Sequence, residues 1–444
     1  MNNDLTVGDP TKVLWKFCLP LFFSVIFQQL YNIADSLIAG KFIGETALAA
    51  VGNSYEITLV FLAVAFGCNL GCSVICAQLF GAKRYTELKT CVYTAFIATS
   101  AVFLALMALG YALQTPILRA VKTPEDIFDD SRLYLSIYIS GLPFLFMYNL
   151  ATGVFSALGD SRTPFFFLAF SSTANIVMDV VFVKAFSLGV AGIAWATFVC
   201  QGISCVLSVI YLGLRLRTVY TDEKPPVFSK DLLKKMTAIA VPGVLQQSFI
   251  SVGNIIIQGI INGFGTGVIA GYAAAIKLNN MFINASQTLC SGIANFTAQN
   301  VGAKKIHRIK SGFFSGLKIE ASVAVPVMII YLVFAETLVR FFMKDPSSLA
   351  VESGVKFIHT VVPFYIMVIT KHVADGILRG AGLMKRFMLA TFTDLTLRVG
   401  LAFVFSRFMG YEGIWCAWPI GWGIATVLSV YMCFTKMFPK KKEN

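Results

Sequence analysis

The chain has 444 residues, of which 57% are hydrophobic and only 13% are charged, and its formal net charge is +13. Stretches of about 18 or more residues with few charges recur along its length, and each could cross a hydrocarbon core of roughly 30 Å as a helix. This pattern excludes a large soluble helical protein, whose helices need polar faces. The positive charge fits basic cytoplasmic loops beside anionic lipid headgroups, so it requires no nucleic-acid partner.

Twelve apolar stretches predict twelve transmembrane helices. The apolar run that starts at Val13 is itself the first of them, so we expect no cleavable signal peptide. In chain order the predicted spans are 14–40, 50–80, 90–113, 133–158, 164–186, 190–214, 236–262, 268–300, 312–334, 355–380, 387–408 and 413–436.

The chain also contains two copies of one pattern. A register held along most of each half indicates two homologous halves, which in a membrane protein is typical of a transporter. At one repeated site we expect the glycine to end a long helix and the lysine to face its C-terminal dipole. The recurring residues include Pro20 with Pro242 at an offset of 222, and Gly71 with Gly292, Gln78 with Gln299, Gly81 with Gly302 and Lys83 with Lys304 at an offset of 221.

The boundary between the halves is predicted in a basic, polar segment that contains Pro225 and Pro226. Six spans in each half would bring both halves into the membrane from the same side. The predicted fold is therefore an all-α membrane protein of twelve helices in two six-helix bundles, related by a pseudo-twofold axis along the membrane normal. The predicted parts are an N-terminal lobe (1–214), a cytoplasmic linker (215–235) and a C-terminal lobe (236–444).

The distribution of Lys and Arg predicts the orientation. Basic residues concentrate in the even-numbered loops, for example at Lys83, Lys224 and Lys304, whereas the loop at 119–132 also carries acidic residues such as Asp126. Because basic loops stay on the cytoplasmic side, we expect both termini in the cytoplasm.

Several kinds of chemistry have no signature in the chain. The ten Cys residues lack metal or disulfide spacing, the three His residues are scattered, and no phosphate-binding loop is present. We therefore expect no metal, no cofactor and no ATP hydrolysis, and the driving force must come from an ion gradient or a partner. A membrane-embedded transferase is the alternative from another class, but it would need clustered His and Asp residues.

Two carboxylates are predicted inside spans of the first half. Asp35 lies in the first span and Asp179 in the fifth. A carboxylate in the bilayer costs about 2.5–3.5 kcal/mol on insertion scales, and it marks an ion or proton path by default. Asn32 and Asn175 lie about one helical turn earlier. These four residues are predicted to hold a proton or a small cation.

The corresponding positions of the second half differ in charge. Ile257 stands where Asp35 stands in the first copy, and Arg398 is the approximate counterpart of Asp179. Two pairs of opposite charge are spaced i,i+4, and we expect them to neutralise each other or, as the alternative, to line a gate or substrate cavity. These pairs are Asp375 with Arg379, and Asp394 with Arg398.

Further residues are candidates for a substrate cavity or gate. Glu56 and Lys277 occupy equivalent positions in the two halves, so they could pair across a cleft in one conformation. Aromatic and Met side chains suit flat lipophilic cations. The complete candidate set is Gln28, Tyr31, Glu56, Lys277, Met281, Phe282 and Asp375.

The motifs of this chain resemble those of the multidrug and toxic compound extrusion (MATE) family over essentially its whole length. The resemblance implies twelve spans in two lobes and secondary active export of bulky, often cationic compounds, driven by inward flow of H+ or Na+. The matching motifs are Gln28-Gln29-Leu30-Tyr31-Asn32-Ile33-Ala34-Asp35, Ala47-Leu48-Ala49-Ala50-Val51-Gly52, Gly159-Asp160-Ser161-Arg162-Thr163-Pro164, Asn175-Ile176-Val177-Met178-Asp179 and Leu378-Arg379-Gly380-Ala381-Gly382.

The resemblance also implies site residues. The family's carboxylate of the first helix falls on Asp35, its fifth-helix pair falls on Asn175 and Asp179, and a fourth-helix Asn falls on Asn149. Some members carry an ion-site carboxylate in the seventh helix, but that helix has none here, which favours H+ coupling through the first lobe over Na+.

We therefore expect a cation-coupled multidrug antiporter in the plasma (inner) membrane of a bacterium. Its expected partners are small organic cations and membrane lipid, and it is expected to act as a monomer. The alternative within the same superfamily is a flippase for lipid-linked precursors, which predicts a strongly cationic cavity.

Overall fold

The computed structural model describes residues 4–38, 42–43, 45–121, 123–221, 223–343 and 347–438, and these residues form fifteen α-helices. The helices of the first half are α1 (Pro10–Ile38), α2 (Glu45–Gly81), α3 (Tyr85–Ala120), α4 (Glu125–Ser140), α5 (Leu142–Ala157), α6 (Arg162–Val180) and α7 (Gly189–Arg217). Those of the second half are α8 (Lys230–Asn262), α9 (Thr266–Gly302), α10 (Ile306–Val333), α11 (Ala335–Phe341), α12 (Ser348–Val361), α13 (Tyr365–Gly380), α14 (Met384–Met409) and α15 (Tyr411–Met437).

Ten helices or joined helices of the described chain are long and apolar enough to cross a membrane, and α4 with α5, bent by 47°, adds an eleventh span. The predicted eighth span coincides with α9, which is long enough at 37 residues but carries many amide side chains. The all-helical membrane class is therefore confirmed, and ten helices with the bent pair account for eleven of the twelve predicted spans.

The duplication is visible in the backbone. Lys83 and Lys304 have φ of 59° and 58°, and they follow the ends of α2 and α9. The next residue closes the same bond in each copy, from Arg84 N to the Leu79 carbonyl at 3.0 Å and from Lys305 N to the Asn300 carbonyl at 2.8 Å. Each helix ends at the expected glycine, Gly81 or Gly302, and the lysine two residues later takes the left-handed conformation.

The described chain divides into two compact units whose boundaries lie inside α1 and α8. The first unit contains Phe17–Val244, and the second contains Leu5–Lys16 together with the residues after Val244. Within the second unit, Leu5 N donates to Gln299 Oε1 at 2.9 Å. Segment 5–16 thus belongs to the second unit, although it lies in the predicted N-terminal lobe, and segment 230–244 belongs to the first unit. The predicted linker at 215–235 stays a prediction.

Each unit has its own apolar core. In the first unit, Phe61, Phe103 and Phe146 pack with aliphatic residues of α2 to α5. In the second unit, aromatic rings dominate: Phe282 stacks on Tyr365 with ring centroids 4.0 Å apart, and further contacts join Tyr272, Phe357, Trp415, Trp418 and Trp422. Such ring pairs contribute about 0.5–1.5 kcal/mol each beyond the burial of their area.

Helices α9 and α12 approach closely at Gly271, so we expect one added methyl group there to destabilise the protein. A Cβ on Gly271 would collide with the carbonyl oxygen of Ala350 and the hydroxyl of Ser353, and it would lie 2.8 Å from Gly354 N. Small residues allow helix backbones to approach in this way within membranes. We expect Gly271→Ala to destabilise the protein by about 1–3 kcal/mol, the usual range for overpacking, measured as thermal unfolding of the purified protein.

The matched control is Gly400→Ala in α14, because nothing lies within 4 Å of the Cβ position there. That change should leave the melting temperature unchanged or raise it, since Ala favours a helix over Gly by roughly 0.5–1 kcal/mol. Equal melting temperatures for the two variants would contradict the tight α9–α12 contact.

Candidate functional site: buried polar groups in both units

Asp179 lies near the end of α6 and is completely buried, with 0% of its surface exposed. Asn175, one turn earlier, is also buried, and its Nδ2 donates to Thr197 Oγ1 on α7 at 3.5 Å. The structure therefore places both predicted residues on the buried face of one helix.

The helix changes its winding directly after Asp179. A π-helical turn covers Val181–Ala185, and Ser187 beyond it has a φ of 53°. π-helical turns are rare, and within helices they are frequent at functional sites. Asp179 thus lies two residues before an irregular stretch that no sequence pattern predicted.

A small cavity of about 10 Å³ lies beside this site between α4 and α7. Thr197, the acceptor for Asn175, lines it together with Tyr134, Tyr138 and Gln201. This volume is close to the minimum that holds one water molecule. The hydroxyl and amide groups on its wall could bind such a water near the α6 site.

Asn149, which was assigned to the ion-site cluster, forms hydrogen bonds with its own helix and with α2. Its Nδ2 donates to the Leu145 carbonyl of its own helix at 2.8 Å, and its own carbonyl accepts from Asn69 Nδ2 at 2.5 Å. Asn69 on α2 is a polar residue that sequence reasoning missed, although an amide among apolar residues of a predicted span is itself a signal.

Three predicted side chains, those of Asn32, Asp35 and Glu56, lie outside the described residues. Near them on α1, Gln28 is exposed and Tyr31 is half-buried. Their assignment to an ion site, a gate or a cavity stays a prediction.

The second unit encloses a polar cavity of about 120 Å³ between α8, α9, α13, α14 and α15. Its wall carries amides from α8 and α9 and the aromatic rings of Trp418 and Trp422. The titratable residues on the wall include Lys371, His372, Asp375, Arg379, Asp394 and Arg398. Both predicted charge pairs therefore line one cavity, which explains why α9 is polar.

In the first predicted pair, Asp375 bonds to Lys371 and not to Arg379. Asp375 Oδ2 bonds to Lys371 Nζ at 2.7 Å, and Asp375 Oδ1 accepts from Ser429 Oγ at 2.7 Å. Arg379 Nη2 instead contacts Cys290 Sγ at 3.2 Å and Ser291 Oγ at 3.3 Å on α9. Pairing of Asp375 with Arg379 was wrong, because both neighbours at four residues are basic and Arg379 finds acceptors on another helix.

The second predicted pair is present but long. Arg398 Nη2 lies 3.9 Å from Asp394 Oδ2, and the guanidinium lies 4.4 Å from the centre of the Trp418 ring. Arg398 thus divides its interactions between a carboxylate and an aromatic face, a contact that suits its flat charge.

The repeat also corrects one equivalence. Gly159 and Gly382 have φ of 76° and 75° and precede α6 and α14, at an offset of 382 − 159 = 223. That offset places Asn175 opposite Arg398 and Asp179 opposite the buried Ala402. The approximate match of Asp179 with Arg398 was therefore one helical turn out of register.

The candidate residues on α9 have different environments. Lys277 lies 5.7 Å from the centre of the Phe342 ring, and Met281 is 49% exposed. Phe282 is 3% exposed and stacks on Tyr365 in the packed core, and its assignment to a substrate cavity or gate stays a prediction. Adjacent helical residues point about 100° apart, and the sequence does not show which one faces the core.

Glu320 is a buried carboxylate that sequence reasoning missed. It lies in α10 with 1% of its surface exposed, and its Oε2 accepts from Ser286 Oγ at 2.7 Å. The signal was available, because the residue is an acid within the predicted span 312–334.

Comparison with known proteins decides the family. The MatE family model matches residues 20–181 and 242–404, once in each half of the chain. The chain belongs to the MatE family. This double match also agrees with the repeat seen in the sequence and the backbone.

Relatives and solved structures agree with the MatE assignment. The chain is 27% identical over 412 residues to a protein of Bacillus subtilis named probable multidrug resistance protein YpnP, covering 93% of this chain and 92% of the relative. It is 23% identical to a protein of Shewanella oneidensis named FAD transporter, covering 76% and 75%. A solved multidrug resistance MATE family transporter in an outward-facing conformation superposes with a TM-score of 0.91 at 19% identity, covering 98% of both chains.

MatE proteins are transporters and not enzymes. The chain is a multi-pass membrane protein with bacterial relatives, and its membership implies small-molecule transport substrates.

Proposed function

We propose that this protein is a secondary active antiporter that exports bulky lipophilic or cationic compounds in exchange for H+, with Na+ as the alternative coupling ion. The observation that carries the proposal is the complete burial of Asp179 within a membrane-spanning helix, beside a π-helical turn. By default, a carboxylate within a membrane span marks an ion or proton path. The names of the bacterial relatives support a drug-like substrate.

Coupling follows from the charge of the carboxylate. An ionised Asp179 favours a bound cation, whereas a protonated Asp179 removes that attraction. Proton binding and binding of a cationic compound would then oppose each other, which is the differential affinity that exchange requires. Alternation of the two halves between inward and outward access would complete the cycle.

Protons are favoured over Na+ because α8 contributes amides to the cavity of the second unit and no carboxylate. Gln246 and Asn254 line that cavity, and further along α8 Gln258 Nε2 donates to Asn262 Oδ1 at 2.8 Å. Some members of the family carry an ion-site carboxylate in the corresponding seventh span, and that span has none here.

The test is efflux of a cationic dye from proteoliposomes under separately imposed gradients. We expect a proton gradient alone to drive efflux and a sodium gradient alone to drive none. Efflux driven only by a sodium gradient would show that Na+ is the coupling ion. Efflux driven by neither gradient would overturn the antiporter proposal.

A second candidate is export of compounds with an anionic group, including lipid-linked precursors. The cavity of the second unit carries three basic residues, Lys371, Arg379 and Arg398, against two acidic ones, Asp375 and Asp394. The Shewanella relative named FAD transporter gives this candidate a precedent. Calorimetric titration of the purified protein with an organic cation and with a flavin dinucleotide separates the two, since tighter binding of the flavin would favour the second.

We also propose that the protein is a monomer in the bacterial plasma membrane with both termini in the cytoplasm. Lys224→Cys should react with a membrane-impermeant maleimide only from the cytoplasmic side, and Asp126→Cys only from outside. Both positions are exposed, and the unmodified protein provides the background from its ten native cysteines. Reversed labelling would overturn the orientation.

A further inference from the structure

Three side chains from three helices of the second unit form one hydrogen-bonded chain. Glu320 Oε2 on α10 bonds to Ser286 Oγ on α9 at 2.7 Å, and Ser286 Oγ lies 2.7 Å from His372 Nδ1 on α13. Glu320 and Ser286 are each 1% exposed, whereas His372 lines the polar cavity. The chain therefore leads from the cavity wall to a carboxylate behind it.

The hydrogen atoms fix the direction of the bonds. Ser286 has one hydroxyl hydrogen, and an ionised Glu320 only accepts, so that hydrogen points to Glu320 and His372 Nδ1–H donates to Ser286. When Glu320 is protonated, the order reverses: Glu320 donates to Ser286, and Ser286 donates to an unprotonated Nδ1. The two states differ by one proton and by the tautomer of His372.

Within the part of the chain that the structure describes, the charged groups on the neighbouring helices form no ion pair with Glu320. On α13, Lys371 is paired with Asp375 at 2.7 Å, and Arg379 contacts Cys290 and Ser291 of α9. Glu320 Oε1 has no hydrogen-bond partner among the described residues. An ionised, unpaired carboxylate buried at this depth is costly, and protonation removes that cost.

We propose that Glu320 is a second proton-binding site, which exchanges its proton with the cavity through Ser286 and His372. In the loading step, His372 Nε2 accepts a proton from a hydronium ion in the cavity, which leaves water; Nδ1–H passes its proton to Ser286 Oγ, and the Ser286 hydroxyl proton moves to Glu320 Oε2. One O–H bond forms on Glu320, Ser286 regains its hydroxyl hydrogen, and His372 remains neutral as the other tautomer. Release follows the reverse order.

The site would change the charge that a ligand in the cavity meets. The cavity wall carries three basic residues and two acidic ones, and Glu320 lies behind it. The wall residues are Lys371, Arg379, Arg398, Asp375 and Asp394. Taken in their ionised forms, these residues and Glu320 sum to 3 − 3 = 0, and protonation of Glu320 changes the sum to +1. A proton on Glu320 would therefore disfavour a cation in the cavity, which extends the proposed exchange to the second unit and rests on that proposal.

Infrared difference spectroscopy of the purified protein during a pH titration tests the site directly. The C=O band of a protonated carboxylic acid should appear as pH falls, and Glu320→Gln should remove one component of it. The matched control is Glu336→Gln, an exposed carboxylate paired with Arg340 on α11, which should leave that component in place. Persistence of the whole buried-carboxyl band in Glu320→Gln would overturn the proposal.

Variants of Ser286 test the proton relay independently, in case Glu320→Gln does not fold. After a pH jump, Ser286→Ala should slow the appearance of the Glu320 band roughly 100-fold, the lower end of what positioned proton-transfer groups contribute. Ser286→Thr keeps the hydroxyl and should restore the rate. Equal rates in the three proteins would overturn the relay.

The result is separable from the antiporter proposal. A Glu320 band that titrates in a protein without proton-driven efflux would support this site and reject the proposed function. Proton-driven efflux in a protein whose band is unchanged by Glu320→Gln would reject this site alone.

Discussion

Asp179→Asn is expected to reduce proton-driven dye efflux to the level of protein-free liposomes, while the protein still folds in the membrane. Asn has nearly the shape of Asp but holds no exchangeable charge, so the site would remain permanently in a state that resembles the protonated one. Asp179 is completely buried in α6, and loss of its charge would remove the difference in affinity on which exchange depends. Efflux and binding of the dye in detergent are the two measurements.

Binding should respond to pH in the wild-type protein and lose much of that response in Asp179→Asn. Affinity for a cationic dye should weaken as pH falls, because proton and dye favour opposite charge states of the carboxylate. The control is Asp129→Asn, which changes an exposed carboxylate of α4 in the same way. Efflux at the wild-type rate in Asp179→Asn would remove this residue from the coupling mechanism.

Lys371→Met is expected to destabilise the protein by about 3–5 kcal/mol, the usual result of removing one partner of a buried ion pair. Lys371 and Asp375 are 6% and 3% exposed, and their charged atoms lie 2.7 Å apart. The single change leaves the Asp375 carboxylate buried with Ser429 as its remaining hydrogen-bond donor. Thermal or denaturant unfolding of the purified protein gives the measurement.

The double variant Lys371→Met/Asp375→Asn should recover most of that loss. The amide oxygen of Asn can still accept from Ser429, and neither of the two changed positions then carries a charge. Arg379→Met is a useful comparison, since its guanidinium contacts Cys290 and Ser291 and no carboxylate at salt-bridge distance among the described residues. If the single and double variants are equally unstable, charge pairing is not what stabilises this wall.

The repeated features were predictable from sequence because they depend on spacing along the chain. Apolar stretches of sufficient length gave the positions of the helices, and the offset of 221 anticipated that Lys83 and Lys304 would share one backbone conformation. Burial of Asp179 and Asn175 was likewise implied by their position within an apolar span and their separation by one turn.

Contacts between helices were not predictable from a single sequence. Asp375 has a basic residue four positions away on either side, Lys371 and Arg379, and only the packing of α9 decides which one pairs with it. Met281 and Phe282 are adjacent, yet one is exposed and the other is stacked in the core. Glu320 was overlooked for another reason, since the rule that identified Asp35 and Asp179 applies to it as well.

The π-helical turn after Asp179 has a consequence for how the two copies diverged after gene duplication. Equivalent glycines are 189 − 159 = 30 positions apart in the first copy and 410 − 382 = 28 positions apart in the second. A π turn accommodates an additional residue without breaking the helix, and each inserted residue rotates the preceding segment by about 100° relative to the following one. The four buried positions of α6 all have buried equivalents in α14, so the extra length lies after the shared buried face, and the two copies differ in winding only beyond it.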